Sequence, residues 1–207
     1  MLTKSKGEIT EALSKSVWDF KIGDNIIYNL KIIFALYEAS ERTPQRAIIF
    51  YKPLIVLMVS IIEALMYDLV YRLHDATNHF PVNLIKKKAE IKRWTENKKV
   101  PLERSSSIKI IKYKMPEAVS FFKKYEIFGP ANATIYSELV AAAGMRNRIH
   151  IENYQRRFER DENAVFTKNR LEAIERIFEH ILDIMGTLYV RPFDSGQQED
   201  WTRQLFE

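Results

Sequence analysis

The chain has 207 residues, of which 46% are hydrophobic and 29% charged, and its formal net charge is +5. That length suits one domain, and the apolar share excludes wholesale disorder. Cysteine is absent, which excludes disulfide frameworks and thiolate metal sites and makes a reducing cytosol the expected compartment.

Only 6 Gly and 7 Pro are present, few for a turn-rich chain. Together with abundant Leu, Ile, Glu, Lys and Ala, this favours an all-α chain of long helices over many short strands. The expected organisation is a single bundle over residues 1–190 and a short tail over 191–207. The opening MLTKSKGEITEALSKS lacks the apolar core of a secretory leader. The histidines, His74, His79, His150 and His180, form neither an HxxxH nor an HExxH pair, so no metal and no cofactor is expected.

In chain order, residues 8–20 predict a short helix. Asp24 is placed to cap a second, in which Ile27, Leu30, Phe34 and Tyr37 share one face. Thr43-Pro44 reads as the start of a long helix reaching about His74, with Thr43 as N-cap and Pro53 as a point of kinking or division. Within it, LIVLMVSIIEALM (residues 54–66) is the most apolar run. It is 13 residues long and contains Glu63, whereas a spanning helix needs roughly 18 or more apolar residues. The run therefore reads as the central buried helix of a bundle with no membrane association.

Residues 82–97 predict a basic amphipathic helix with Leu84, Ile85, Ala89 (or Lys88), Ile91 and Trp94 facing inward. Residues 98–107 read as a loop, and SIKIIKYKM after it as helix. Pro116 opens a further helix that Gly129-Pro130 closes. A helix over about 133–153 carries Ile135, Leu139, Ala142, Met145 and Ile149 as a packing seam. Residues 155–166 form a charged connection. Thr167 caps a last long helix whose Leu171, Ile174, Ile177, Phe178, Ile181 and Met185 face the core. The tail, with Trp201 and Phe206, is amphipathic and suited to docking on its own or a partner surface.

The charge is unevenly placed. Residues 82–124 hold 13 Lys/Arg against 4 Asp/Glu, a balance of +9 that leaves the rest of the chain at −4. Such an excess attracts polyanions, and Lys86, Lys87, Lys88, Lys92 and Arg93 are its candidate RNA contacts. A solvated lysine-rich face explains the same composition. Trp94 and Tyr113, among these lysines, can stack on bases or face inward.

GMRNRIHIEN, residues 144–153, holds the candidate catalytic group. Arg146 and His150 are four apart, so they share a helix face, and Asn153 continues the line beside the apolar seam. Arginine offers a planar fork of donors to phosphate, histidine exchanges a proton near neutral pH, and Asn147 can position a hydroxyl or phosphate. Those are the parts that metal-free RNA cleavage requires. One histidine cannot be base and acid at once, and two copies across a two-fold axis divide that work. The alternative is a non-catalytic interaction or scaffold protein in which RNRIH is a structural or interface polar network.

The stretch resembles the HEPN superfamily of helical-bundle nucleotide-binding and ribonuclease domains. Three features carry the resemblance: Arg146-Asn147 followed by His150 on a late helix, the charged connection RRFERDENAVFT before a long closing helix, and the early helix LMVSIIEALMYDLVYRL with its embedded Glu63. It covers roughly residues 43–188. The family pattern places four to six residues between Arg and His; three stand here, which turns the imidazole about 100° around the helix axis. The resemblance implies an all-α, antiparallel multi-helix bundle that forms a homodimer along the motif helix. It also implies a metal-independent endoribonuclease or RNA-binding module of toxin–antitoxin, stress or phage-defence systems, with an antitoxin protein as a further partner. Arg146, Asn147 and His150 would be catalytic, with Glu63 and Asn153 orienting them.

Overall fold

A computed structural model of the chain describes residues 2–17, 20–75, 80–101, 109–146 and 162–191. The described part is almost entirely helical. Helix α1 is Lys6–Ser16, α2 is Phe20–Arg42, and a 3-10 turn at Pro44–Arg46 leads into α3, Ile48–Asp75. Then follow α4 (Val82–Ile85), α5 (Lys88–Glu96), strands β1 (Lys99–Pro101) and β2 (Lys109–Ile111), α6 (Met115–Lys124), α7 (Ile135–Arg146), α8 (Glu162–Val165) and α9 (Lys168–Leu188).

Helix α3 is the hub and packs against α2, α5, α7 and α9; α1 lies on α9, and α6 on α7. Its buried side chains, among them Leu54, Ile55, Met58, Ile62, Leu65 and Leu69, cover one broad face of the helix. The apolar helix is longer than the 13-residue run suggested, because its window Ile48–Leu73 is long and apolar enough to cross a membrane by length and composition. In the bundle that length is used to meet four neighbours. Pro53, the sixth residue of α3, does not divide it, although it cannot donate to the carbonyl four residues earlier.

Local chemistry explains most helix ends. Ser5 and Glu8 form a capping box that starts α1 earlier than predicted: Ser5 N donates to Glu8 Oε2 at 2.8 Å, and Glu8 N to Ser5 Oγ at 3.3 Å. Asp24 lies inside α2 rather than capping it. Thr43 does not cap either; its hydroxyl bonds back to Ala39 O at 2.8 Å and closes α2 instead. Thr167 does cap α9, accepting from Arg170 N at 3.4 Å, and all six predicted core residues of α9 are buried. Gly186 permits the close approach of α1 and α9, since a Cβ there would lie 3.4 Å from Cα and Cβ of Ala12.

Two further expectations are overturned. The basic helix predicted over 82–97 is two pieces, α4 and α5, broken at Lys86-Lys87. Leu84 and Ile91 are both buried, while Ile85, 38% exposed, and Ala89 turn outward. The segment read as loop and then helix contains an antiparallel hairpin, with Lys99 opposite Ile111 and Pro101 opposite Lys109. Its β-branched run, Ile110-Ile111, favours strand. Helix α3 holds the hairpin in place: Tyr67 Oη donates to Ile111 O at 2.9 Å, and Ile111 N donates to Tyr71 Oη at 3.2 Å. The main chain of β2 is thus satisfied by tyrosines.

Among the described residues, Asp68 and Arg72 form a charged pair in the core. Arg72 Nε is 2.8 Å from Asp68 Oδ2, both side chains being almost fully buried, and Arg72 Nη1 donates to Tyr189 O at 2.7 Å. Burial pulls the Arg72 pKa down, and Asp68 opposes that. Removing one partner of such a pair costs about 3–5 kcal/mol, because it leaves the other charge buried. Asp68→Leu should therefore lower stability by that order in urea melts, while Asp68→Leu/Arg72→Met should recover most of the loss. Equal destabilisation of the single and double variants would contradict the role of the pair.

Candidate nucleic-acid interface

The basic face is built on α5. Ile91 and Thr95 are buried and anchor it, with Thr95 Oγ1 donating to Lys92 O at 2.9 Å. Lys92 and Arg93 stand off that buried line on a helix of this period, and Lys88, at the first position of α5, is exposed as well. All five predicted RNA contacts, Lys86, Lys87, Lys88, Lys92 and Arg93, are exposed. Lys87 pairs with Glu90 at 3.7 Å. The other four make no ion pair among the described residues, so their charge is not cancelled locally.

The hairpin and α6 extend this face. Lys98 Nζ reaches Glu117 Oε2 at 2.5 Å and lies 5.8 Å from the Trp94 ring centroid. Lys124 Nζ is 3.3 Å from Glu90 Oε2, which also accepts from Tyr125 Oη at 3.0 Å. Glu90 is accordingly held below the usual carboxylate range, first by the Tyr125 hydroxyl and then by Lys124 and Lys87. Lys98 does the same to Glu117. Trp94 is half-buried and stacks on Phe121, with ring centroids 4.2 Å apart at 24°. Tyr113 turns inward to the tyrosines of α3, 5.7 Å from Tyr67. Its hydroxyl is buried without a hydrogen-bond partner among the described residues. Burial, the neighbouring Tyr67 and the charge of Glu63 together push its pKa up.

The motif divides at the edge of the described chain. Arg146 is the last residue of α7, while Asn147, His150 and Asn153 lie outside the described residues, as do His79, Trp201 and Phe206. Ile135, Leu139 and Ala142 of the seam are buried and Met145 is half-buried; Ile149 is outside. Helix α7 packs on α3, α6 and α9. Glu63 is half-buried on α3, on the side whose charge reaches Tyr113. His180 serves the fold: its Nε2 is 3.1 Å from Phe128 O. A carbonyl oxygen only accepts, so that nitrogen carries the proton. Among the described residues no cluster of three or more His, Asp or Glu could hold a metal ion.

Sequence reading located the lysines of α5 but not what stands opposite them. Ser120, Phe121, Lys124 and Tyr125 come from α6 and meet α5 only in the fold. The i, i+4 aromatic pair Phe121–Tyr125 beside Lys123-Lys124 was the available signal. Family models, curated proteins and solved structures were all compared with the chain, and none matches.

If the uncancelled charges of α5 engage phosphates, RNA binding weakens steeply with salt. Converting Lys86, Lys88, Lys92 and Arg93 to Glu should then reduce the slope of log K against log salt by roughly 0.7 for each phosphate no longer neutralised. A slope unchanged in that variant, measured by fluorescence anisotropy, would leave these residues as a solvated face.

Proposed function

We propose that the chain is an RNA-directed helical bundle of the HEPN type that cleaves RNA without a metal ion. The observation that carries the reading is the exposed basic surface of α5 and of the break before it, where Lys86, Lys88, Lys92 and Arg93 have no ion-pair partner among the described residues. Phosphate contacts dominate affinity for nucleic acids, and this face supplies them. It lies in the part of the chain that holds the +9 balance.

In this reading Arg146 holds the charge that builds on the scissile phosphate, Asn147 positions it, and His150 transfers the proton, with Glu63 and Asn153 orienting them. The ribose 2′-oxygen forms a bond to phosphorus as its proton passes to a base. The phosphorus–O5′ bond breaks, and the leaving oxygen takes a proton from an acid. The products are a 2′,3′-cyclic phosphate and a 5′-hydroxyl. Two copies of His150 from two chains fill the two proton-transfer roles. The outward face of α7 supports such pairing: Val140 is 46% exposed, and a Cβ at Gly144 would meet nothing within 4 Å.

A second reading, an interaction scaffold without catalysis, is favoured by the large exposed side chains Ile48 and Ile49 at the start of α3.

Two experiments separate the readings. Wild type should cleave total RNA at the same rate with and without EDTA, leaving 2′,3′-cyclic ends, and His150→Ala and Arg146→Ala should each abolish cleavage. An inert wild type under all conditions would leave the scaffold. Light scattering should give about twice the 24.4 kDa chain mass, and Val140→Glu, which charges the open face of α7, should return it to one. A monomeric wild type would remove the two-histidine mechanism.

A further inference from the structure

Between α5 and α6 lies an open cleft of about 560 Å³, within the roughly 300–1,000 Å³ range of small-ligand sites. Its floor is aromatic. Phe121 covers one face of the Trp94 indole, and Tyr125 tilts against Phe121 with ring centroids 4.9 Å apart. Phe121 and Tyr125 are buried, yet Trp94 stays partly accessible at the mouth. Arg93 stands on one rim and Lys124 on the other.

The acids of the cleft are already engaged. Glu90 is bonded to Lys124 and Tyr125, and Glu117 to Lys98. Arg93, by contrast, has no ion-pair partner among the described residues. A partly accessible indole beside an uncommitted guanidinium is the pairing that single-stranded nucleic acids use: a π-face for a base and a cation for its phosphate. Asn97 and Ser120 add an amide and a hydroxyl within the same walls.

We propose that this cleft receives one unstacked base of an RNA strand running along α5, with the base on Trp94 and the adjoining phosphate on Arg93. This rests on the RNA-directed reading above and adds a preference for unpaired over duplex RNA. Phosphates are common to both forms, so the lysines of α5 do not discriminate between them. A base in a duplex is already stacked and paired, and it would have to leave both arrangements to enter the cleft.

The test compares an unstructured 12-nucleotide strand with a 12-base-pair duplex, both 2′-O-methyl RNA so that no attacking hydroxyl is present, by fluorescence anisotropy across salt. Two variants are measured, Trp94→Leu and Ser120→Leu. The second places bulk in the cleft from an exposed position of α6 and leaves the aromatic stack intact, so it reports even if Trp94→Leu fails to fold. Each should weaken single-strand binding about tenfold, within the range of one base–aromatic stack. The salt slope should not change, and duplex binding should stay within about twofold of wild type. Undiminished single-strand affinity in Ser120→Leu and in folded Trp94→Leu, or an equal loss for the duplex, overturns the cleft while salt-dependent binding keeps the RNA reading. Wild type that binds neither probe at any salt concentration overturns both.

Discussion

The Arg72 guanidinium ties the two ends of the bundle's main helices together. It comes from the last turns of α3, pairs with Asp68 one turn earlier, and donates to the carbonyl of Tyr189 where α9 stops. Helix ends leave carbonyls without intrahelical partners, and a cation there also meets the negative end of the macrodipole. Tyr189 in turn packs against Phe80 and donates through Oη to Ile127 O at 3.2 Å. One buried charge thus joins α3, α9 and the turn after α6. An isolated buried guanidinium is costly, so this junction exists only with Asp68 beside it.

The same helix sets the basic face. Glu63, Tyr67 and Tyr71 follow one another on α3 at helical spacing, and the two tyrosines bind the main chain of Ile111 in β2. The hairpin is therefore seated on the core rather than carried as a free loop, and Lys98 at its start is directed to Glu117 and Trp94. From there Trp94, Phe121 and Tyr125 form a continuous aromatic run between α5 and α6. The positive charge above it stands on a scaffold whose side chains are already packed, which favours geometry over diffuse attraction.

Legibility followed the period of the pattern. The closing helix was readable in full because its six core positions recur at helical spacing and Thr167 precedes them with a capping oxygen. The part of the α7 seam within the described residues, Ile135, Leu139 and Ala142, was readable for the same reason. The hairpin was not. A run such as IKIIKYK mixes apolar and basic residues without strict alternation, and its partner strand, KVP, is too short to announce itself. Asp24 and Thr43 were misassigned as caps because both residue types also sit inside or at the far end of helices, where Thr43 bonds back to Ala39 O.

Composition and periodicity alone determined that this chain builds a helical bundle around one central apolar helix, with its positive charge gathered over residues 82–124. Those properties depend on each residue and its near neighbours, so they survive in a one-dimensional reading. The fold alone decided that Asp68 and Arg72 would be buried together, that Tyr67 and Tyr71 would hold a strand, and that Trp94 would face Phe121, Lys124 and Tyr125 across a cleft. The latter two join residues about 25–45 positions apart, and the burial of Asp68 and Arg72 depends on how α3 meets its neighbours. Such contacts follow from helix packing, and no local pattern encodes which faces will meet.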